Sequence, residues 1–159
     1  MGDIYNYLDS NNISYKRYEH KAVFTVKESK IHSPQMNGAS TKNLFLRDKK
    51  GSRHFLITLP EDKKIDLKIL SSKLDCSRLS FASPERLKKF LSIEPGAVSL
   101  LALANDIQKK VEAYIDEVIW KEKSILCHPL VNTSTLQIPI LDMEKFLKKT
   151  GHGLNLIDL

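Results

Sequence analysis

Two apolar, β-inclined runs, Asn43 to Arg47 and His54 to Leu59, flank the turn-forming segment Asp48-Lys49-Lys50-Gly51-Ser52. This is the pattern of an antiparallel hairpin, with strand-favouring side chains on both arms and a Gly where the chain reverses. A sheet that begins this way must bury its apolar side chains, so the remaining residues have to supply helices or further strands to cover it. At 159 residues and 42% hydrophobic composition, the chain can bury one sizeable core and is too short for two comfortable ones. The expectation is a single domain over residues 1–159.

Signals for the covering elements lie on both sides of the hairpin. Ile4, Tyr7 and Leu8 repeat at helical spacing behind Asp3, with Asn11-Asn12 to end the helix. Tyr15 to Glu19 reads as a short strand, and Thr25-Val26-Lys27-Glu28 as a capping box opening a helix to about Ile31. Ser33 to Ser40 reads as a loop. Leu67, Leu70 and Leu74 share a helical face behind Asp66, and a strand is expected at Arg78 to Phe81. Ser83-Pro84-Glu85 starts a helix whose buried stripe is Leu87, Phe90 and Leu91.

Pro95-Gly96 fits the centre of a type II turn. Val98 to Leu103 reads as a buried strand, with a turn at Asn105-Asp106. Further strands are expected at Val111 to Ile115, Ser124 to Cys127, Thr135 to Ile140 and Leu154 to Leu159. Asp142 is expected to cap the last helix, with Leu141 and Phe146 forming a hydrophobic staple and Gly151 ending it. Seven or eight short strands among four or five helices define an α+β class with a mixed sheet.

The formal charge of +6 and a pI near 9.2 favour an anionic partner such as nucleic acid. The basic residues come in small groups, among them Lys49-Lys50, Lys88-Lys89 and Lys148-Lys149, and such pairs are also what an ordinary solvated face looks like. No stretch has the length needed to cross a bilayer, no signal peptide is expected at Met1 to Leu8, and Asn6 stands where a myristoylation signal wants Ser or Thr. Cys76 and Cys127 lack the spacing of a zinc or redox pair, which favours reduced thiols in the cytoplasm. The five histidines are scattered, so no metal site and no cofactor are expected.

Three places could carry chemistry. Lys42 sits where a turn-rich loop enters a strand; it is either an ordinary surface lysine or a compact charge for a phosphate or developing anion. His128 lies in a polar loop with Asn132 to Thr135 close behind, either as a structural histidine or as a general acid or base. Its neighbour Cys127 cannot pair with it, because adjacent strand residues point to opposite faces. The turn Glu94-Pro95-Gly96-Ala97 is either only a turn or a source of backbone amides for an oxyanion. No serine elbow, Walker loop or paired-carboxylate motif is present.

Five segments in order, His20 to Val26, Thr41 to Leu46, Gly96 to Ser99, Ala102 to Asp106 and His128 to Asn132, resemble the YbaK/ProX family of aminoacyl-tRNA editing domains over nearly the whole chain. The likeness is to its free-standing prolyl-tRNA editing branch. The resemblance implies a mixed, largely antiparallel and barrel-like sheet surrounded by helices, and a cytoplasmic enzyme that hydrolyses the ester of a mischarged tRNA. Lys42, Gly96 and Ala97 are the catalytic candidates it implies, and Thr41, Asn43, Val98, Ser99, His128 and Asn132 the substrate-binding ones. The Thr-Lys-Asn signature points to alanyl-tRNA for proline, with the acceptor end of that tRNA, and prolyl-tRNA synthetase beside it, as partners. A deacylase for cysteinyl-tRNA or another small aminoacyl-tRNA, and a non-catalytic tRNA- or synthetase-binding module, are the rival readings.

Overall fold

The computed structural model of the chain describes residues 3–21 and 37–159. The helix expected from Thr25 to Ile31 and the start of the loop at Ser33 lie outside these residues. In chain order the elements are α1 (Ile4–Ser10), β1 (Lys16–Glu19), β2 (Thr41–Arg47), β3 (His54–Pro60), α2 (Leu67–Lys73), β4 (Ser80–Phe81) and α3 (Pro84–Leu91). A 3-10 helix (Leu100–Asn105), β5 (Val111–Asp116), a second 3-10 helix (Glu117–Lys121), β6 (Ser124–Cys127), β7 (Ser134–Pro139), α4 (Ile140–Thr150) and β8 (Leu156–Ile157) follow.

The hairpin forms as its sequence demands, with β2 and β3 antiparallel from Thr41↔Pro60 to Arg47↔His54. Its turn is organised by Asp48, whose carboxylate accepts from the Ser52 and Arg53 amides at 2.9 and 3.1 Å and from the Ser52 hydroxyl at 3.1 Å. Burial pushes the Asp48 carboxyl up, and these hydrogen bonds outweigh it, leaving the group below its ordinary range. Gly51 takes φ +70°, the left-handed angle that a side chain resists.

Strand alternation then divides the core in two. One face of the five-stranded sheet carries Phe45, Leu56, Val111, Ala113 and Ile115. It packs against Ile125, Cys127, Leu136 and Ile138 of β6 and β7 and against apolar residues of α1, α3, α4 and the first 3-10 helix. The other face carries Leu46, Phe55, Ile57 and Leu59 under Leu70 of α2, with Leu74 and Leu79.

The α+β class and the mixed, largely antiparallel pairing hold, but the barrel does not. The strands form two sheets, β1-β7-β6 and β4-β2-β3-β5-β8, with β5 parallel to both β3 and β8. Between them runs the isolated parallel bridge Ala39↔Ile125. Apolar residues of β6 and β7 share one core with the Phe45 face of the larger sheet.

Four other expectations need correction. Val98 to Leu103 is no strand: Ser99 Oγ accepts from the Leu101 amide at 3.1 Å and opens a 3-10 helix, a choice that a uniformly apolar run does not reveal by its period. The last helix starts two residues before Asp142, continuing directly from β7, and Asp142 instead accepts from the Ser14 amide at 2.6 Å. Leu141 is 76% exposed while Phe146 is fully buried, so they make no staple. The final strand shrinks to Leu156–Ile157.

Candidate active site

Asn43 is the best-anchored polar residue of the motif on β2. Its Oδ1 accepts from Thr58 Oγ1 directly across the hairpin at 2.6 Å, and its Nδ2 donates to the Val98 carbonyl at 3.4 Å. Thr58 is fully buried, so this hydrogen bond is what satisfies its hydroxyl. One residue before Lys42, Thr41 Oγ1 donates to the Leu126 carbonyl of β6 at 2.8 Å. Thr41 and Asn43 therefore tie the start of β2 to β6 on one side and to the 95–99 segment on the other.

That segment turns as its sequence predicts. Gly96 has φ +89°, and the Ala97 amide closes onto the Glu94 carbonyl at 3.2 Å. Gly96 is exposed, whereas Ala97 is buried and Ser99 fully so. Of the two amides expected to face an oxyanion, Ala97's is thus engaged by the turn itself, which leaves Gly96 as the accessible donor. Ser99, fully buried, uses its hydroxyl to cap the 3-10 helix beneath the turn and supports the segment from inside. Half-buried Val98 contributes its carbonyl to Asn43.

Lys42 is also half-buried, but the pleat directs its side chain to the face opposite Thr41 and Asn43, beside Leu59 and Leu44. On its outer side β2 pairs with β4 only at Leu46 and Arg47, so the four-carbon lysine stem stands at a part of the strand that β4 leaves uncovered.

His128 follows directly on β6, two residues beyond the Leu126 carbonyl that Thr41 grips. Its Nδ1 lies 3.0 Å from the Ser134 carbonyl, which can only accept, so Nδ1 carries the proton and neutral His128 keeps Nε2 as an acceptor. Burial is the main cause that pushes His128 below the ordinary histidine value; the Ser134 carbonyl opposes this and nearby His20 adds to it. The loop between His128 and Ser134 holds half-buried Asn132 and places Leu130 at φ +67°, an uncommon angle for a branched residue.

Two contributors were not among the sequence candidates. Thr58 carried no signal beyond its place in an apolar strand. His20 sits edge-on to His128 with ring centroids 6.4 Å apart. Its Nδ1 lies 2.7 Å from the Lys21 carbonyl, its Nε2 2.7 Å from Thr135 Oγ1, and its amide donates to the Thr133 carbonyl at 2.9 Å. Only the β1–β7 pairing brings these histidines together, and that pairing joins residues more than a hundred positions apart.

Cys127 is buried beside His128, and desolvation pushes its thiol up to about 12, which removes it as a nucleophile near neutral pH. What the arrangement offers is an acceptor imidazole, an oriented carboxamide, an exposed turn amide and a nearby cation. Such a set is able to position and polarise a carbonyl substrate, the chemistry that an α+β hydrolase needs.

A family model for the aminoacyl-tRNA editing domain matches residues 20–146. The prolyl-tRNA editing protein ProX of Acetoanaerobium sticklandii is 38% identical over 152 residues, 96% of this chain and 93% of that protein. Prolyl-tRNA synthetase associated domain-containing protein 1 of Danio rerio is 36% identical, covering 94% of this chain and 82% of that one. The crystal structure of the hypothetical protein APE2540 superposes with a TM-score of 0.75 at 14% identity, covering 97% of each chain, and supports the fold alone. The chain belongs to the aminoacyl-tRNA editing domain family. It is an aminoacyl-tRNA deacylase of the branch that includes ProX.

Proposed function

We propose that this enzyme removes alanine from mischarged alanyl-tRNA(Pro) in trans, in the cytoplasm and beside prolyl-tRNA synthetase. The observation that carries the reading is Asn43 fixed between Thr58 and the Val98 carbonyl, which holds the Thr-Lys-Asn motif of β2 against the Gly96 turn. The 38% identity to a prolyl-tRNA editing protein supports the choice of tRNA.

The need for such an activity follows from the energetics of small side chains. A site shaped for proline cannot sterically exclude alanine, and a missing methylene or two is worth only about 1–3 kcal/mol of discrimination. A second site that admits the smaller residue removes the resulting errors.

In the proposed mechanism water attacks the ester carbonyl, and the Gly96 amide donates to the oxyanion of the tetrahedral intermediate. The carbon–oxygen bond to the ribose then breaks, the ribose oxygen regains a proton, and free alanine leaves. A ribose hydroxyl of the substrate helps to activate the water. Asn43 and Asn132 orient the aminoacyl group, and neutral His128 offers its Nε2 to the ammonium of the alanine. Lys42 reaches round the uncovered part of β2 to the terminal phosphate, a role that suits a compact charge on a flexible stem better than contact with the carbonyl on Asn43's face.

The test is a comparison of hydrolysis rates for alanyl-, cysteinyl-, seryl- and prolyl-esters carried on one proline tRNA. Alanyl-tRNA is expected to be cleaved fastest and prolyl-tRNA spared. Faster cleavage of the cysteinyl ester would reassign the substrate, and binding with no turnover of any ester would reduce the chain to a binding module.

A further inference from the structure

The chain's positive charge is unevenly spread. Residues 47–50 and 78–90 contain seven Lys and Arg (Arg47, Lys49, Lys50, Arg78, Arg86, Lys88, Lys89) against two acids (Asp48, Glu85), a surplus of five where the whole chain has a net +6. The fold draws these segments together. The Lys49 amide donates to Ser77 Oγ at 3.2 Å, which places the hairpin turn beside Arg78. Arg86 of α3 donates to the Gly51 carbonyl at 3.3 Å and to His54 Nε2 at 2.9 Å, docking α3 on the same turn. Arg47 pairs with Ser80 and Leu46 with Phe81, so β4 completes the surface.

The cations face outward, whereas of the two acids only Glu85, at the start of α3, is exposed. Lys49, Lys50, Arg78 and Lys89 are exposed, while Asp48 is 6% exposed and occupied with the turn. Phe81 lies among them 64% exposed, the one aromatic residue among the large exposed hydrophobics of the described residues. Lys89 Nζ sits 5.4 Å from the Phe90 ring. Cations around an uncovered aromatic face form the surface that phosphodiesters and unstacked bases select, the ring stacking a base and the charges releasing counterions from the backbone.

We infer that this surface, built from the β2–β3 turn, β4 and the start of α3, docks the RNA that carries the ester. This inference rests on the proposed function, and the spacing agrees with it. Asn43 and Arg47 are four residues apart on β2, about 13 Å at the usual strand rise. An unpaired 3′ end of roughly four nucleotides, at about 3.4 Å per stacked nucleotide, spans the same gap. RNA held at Arg47 and Lys49, with Phe81 at the neighbouring sheet edge opposite Leu46, therefore brings its aminoacylated end toward Asn43 and Gly96.

The test compares a fourfold variant, K49Q/K50Q/R78Q/K89Q, with an equal neutralisation of exposed lysines elsewhere, K121Q/K123Q/K148Q/K149Q. Binding of uncharged proline tRNA is measured by fluorescence anisotropy from 50 to 300 mM salt, together with KM for alanyl-tRNA(Pro). The first variant is expected to weaken binding and raise KM tenfold or more, and to flatten the log–log salt dependence by about two to three units. The second leaves both near wild type, and F81A alone weakens binding severalfold with the salt slope unmoved. Equal losses in the two fourfold variants, or none in the first, would overturn the assignment. Wild-type protein that binds tRNA through this surface yet hydrolyses no ester would sink the editing reading and leave the docking surface standing.

Discussion

Asn43 Oδ1 and Thr58 Oγ1 lie 2.6 Å apart across the β2–β3 hairpin, and the fully buried hydroxyl uses this bond to hold the carboxamide toward the Val98 carbonyl. Removing either partner should therefore affect both stability and activity. N43A leaves a buried hydroxyl without its acceptor, an expected cost of about 1–3 kcal/mol, whereas T58V keeps the shape and removes the donor more cheaply. Both should lower kcat/KM tenfold or more, and the double variant should lose much less than the sum of the two. Denaturant unfolding and deacylation of alanyl-tRNA(Pro) across this cycle give the coupling; strict additivity in activity would show that Thr58 does not position Asn43.

Lys42 makes a sharper prediction because the pleat separates it from its neighbour. If its charge holds the terminal phosphate, K42A should act mainly on KM, raising it tenfold or more, with Tm little changed at this half-buried site. K42R should recover part of the binding, since the charge persists with different geometry. A loss confined to kcat would instead place the ammonium at the developing oxyanion.

His128 sets an expectation for pH. Its folded pKa lies below the ordinary histidine value, chiefly through burial, so the folded state favours the neutral ring. Stability linked to it is fully present above the unfolded value near 6.5 and is lost as pH falls through the folded one. His54 works in the same direction, lowered first by burial and then by the Arg86 charge. Thermal stability should thus hold from pH 8 to about 6.5 and fall below it. KM should rise on the same acid limb as a protonated His128 repels the substrate's ammonium. In H128N the amide can still donate to the Ser134 carbonyl but cannot titrate; its KM should lose the acid limb, and persistence of that limb would assign it to another group.

How much of this was legible beforehand depended on the range of the interaction. The hairpin, the Asp66 and Ser83 caps, the Pro95-Gly96 turn and the Gly151 stop are written within a few residues, and each stands where local chemistry puts it. The Leu100–Asn105 helix has no such local signal, because four consecutive buried residues carry no period. The division into two sheets and the His20–His128 contact depend on pairings such as Glu19↔Ser134, which no local pattern encodes. At the candidate site, the family motif singles out Thr41, Asn43 and Gly96 from sequence, while the pleat that turns Lys42 away from Asn43 and the burial of Ser99 are visible only with the neighbouring elements in place.

Cys127 separates the positioning mechanism from a covalent one. It adjoins His128 in sequence, as a nucleophile beside a base would, yet burial pushes its thiol up to about 12, so the sulfur stays protonated at pH 8. The sulfur instead packs in the core among residues such as Ile125 and Leu136. C127A should therefore cost about 1–2 kcal/mol of stability through the lost packing and retain wild-type kcat/KM at 25 °C. Iodoacetamide should leave the native enzyme active and label Cys127 only as the protein unfolds. Single-turnover reactions quenched in acid should yield free alanine and no alanylated protein by mass spectrometry. A thioester on Cys127, or a C127A enzyme that folds normally and is inert, would replace water with the sulfur as the attacking group and require His128 to be re-read as its base.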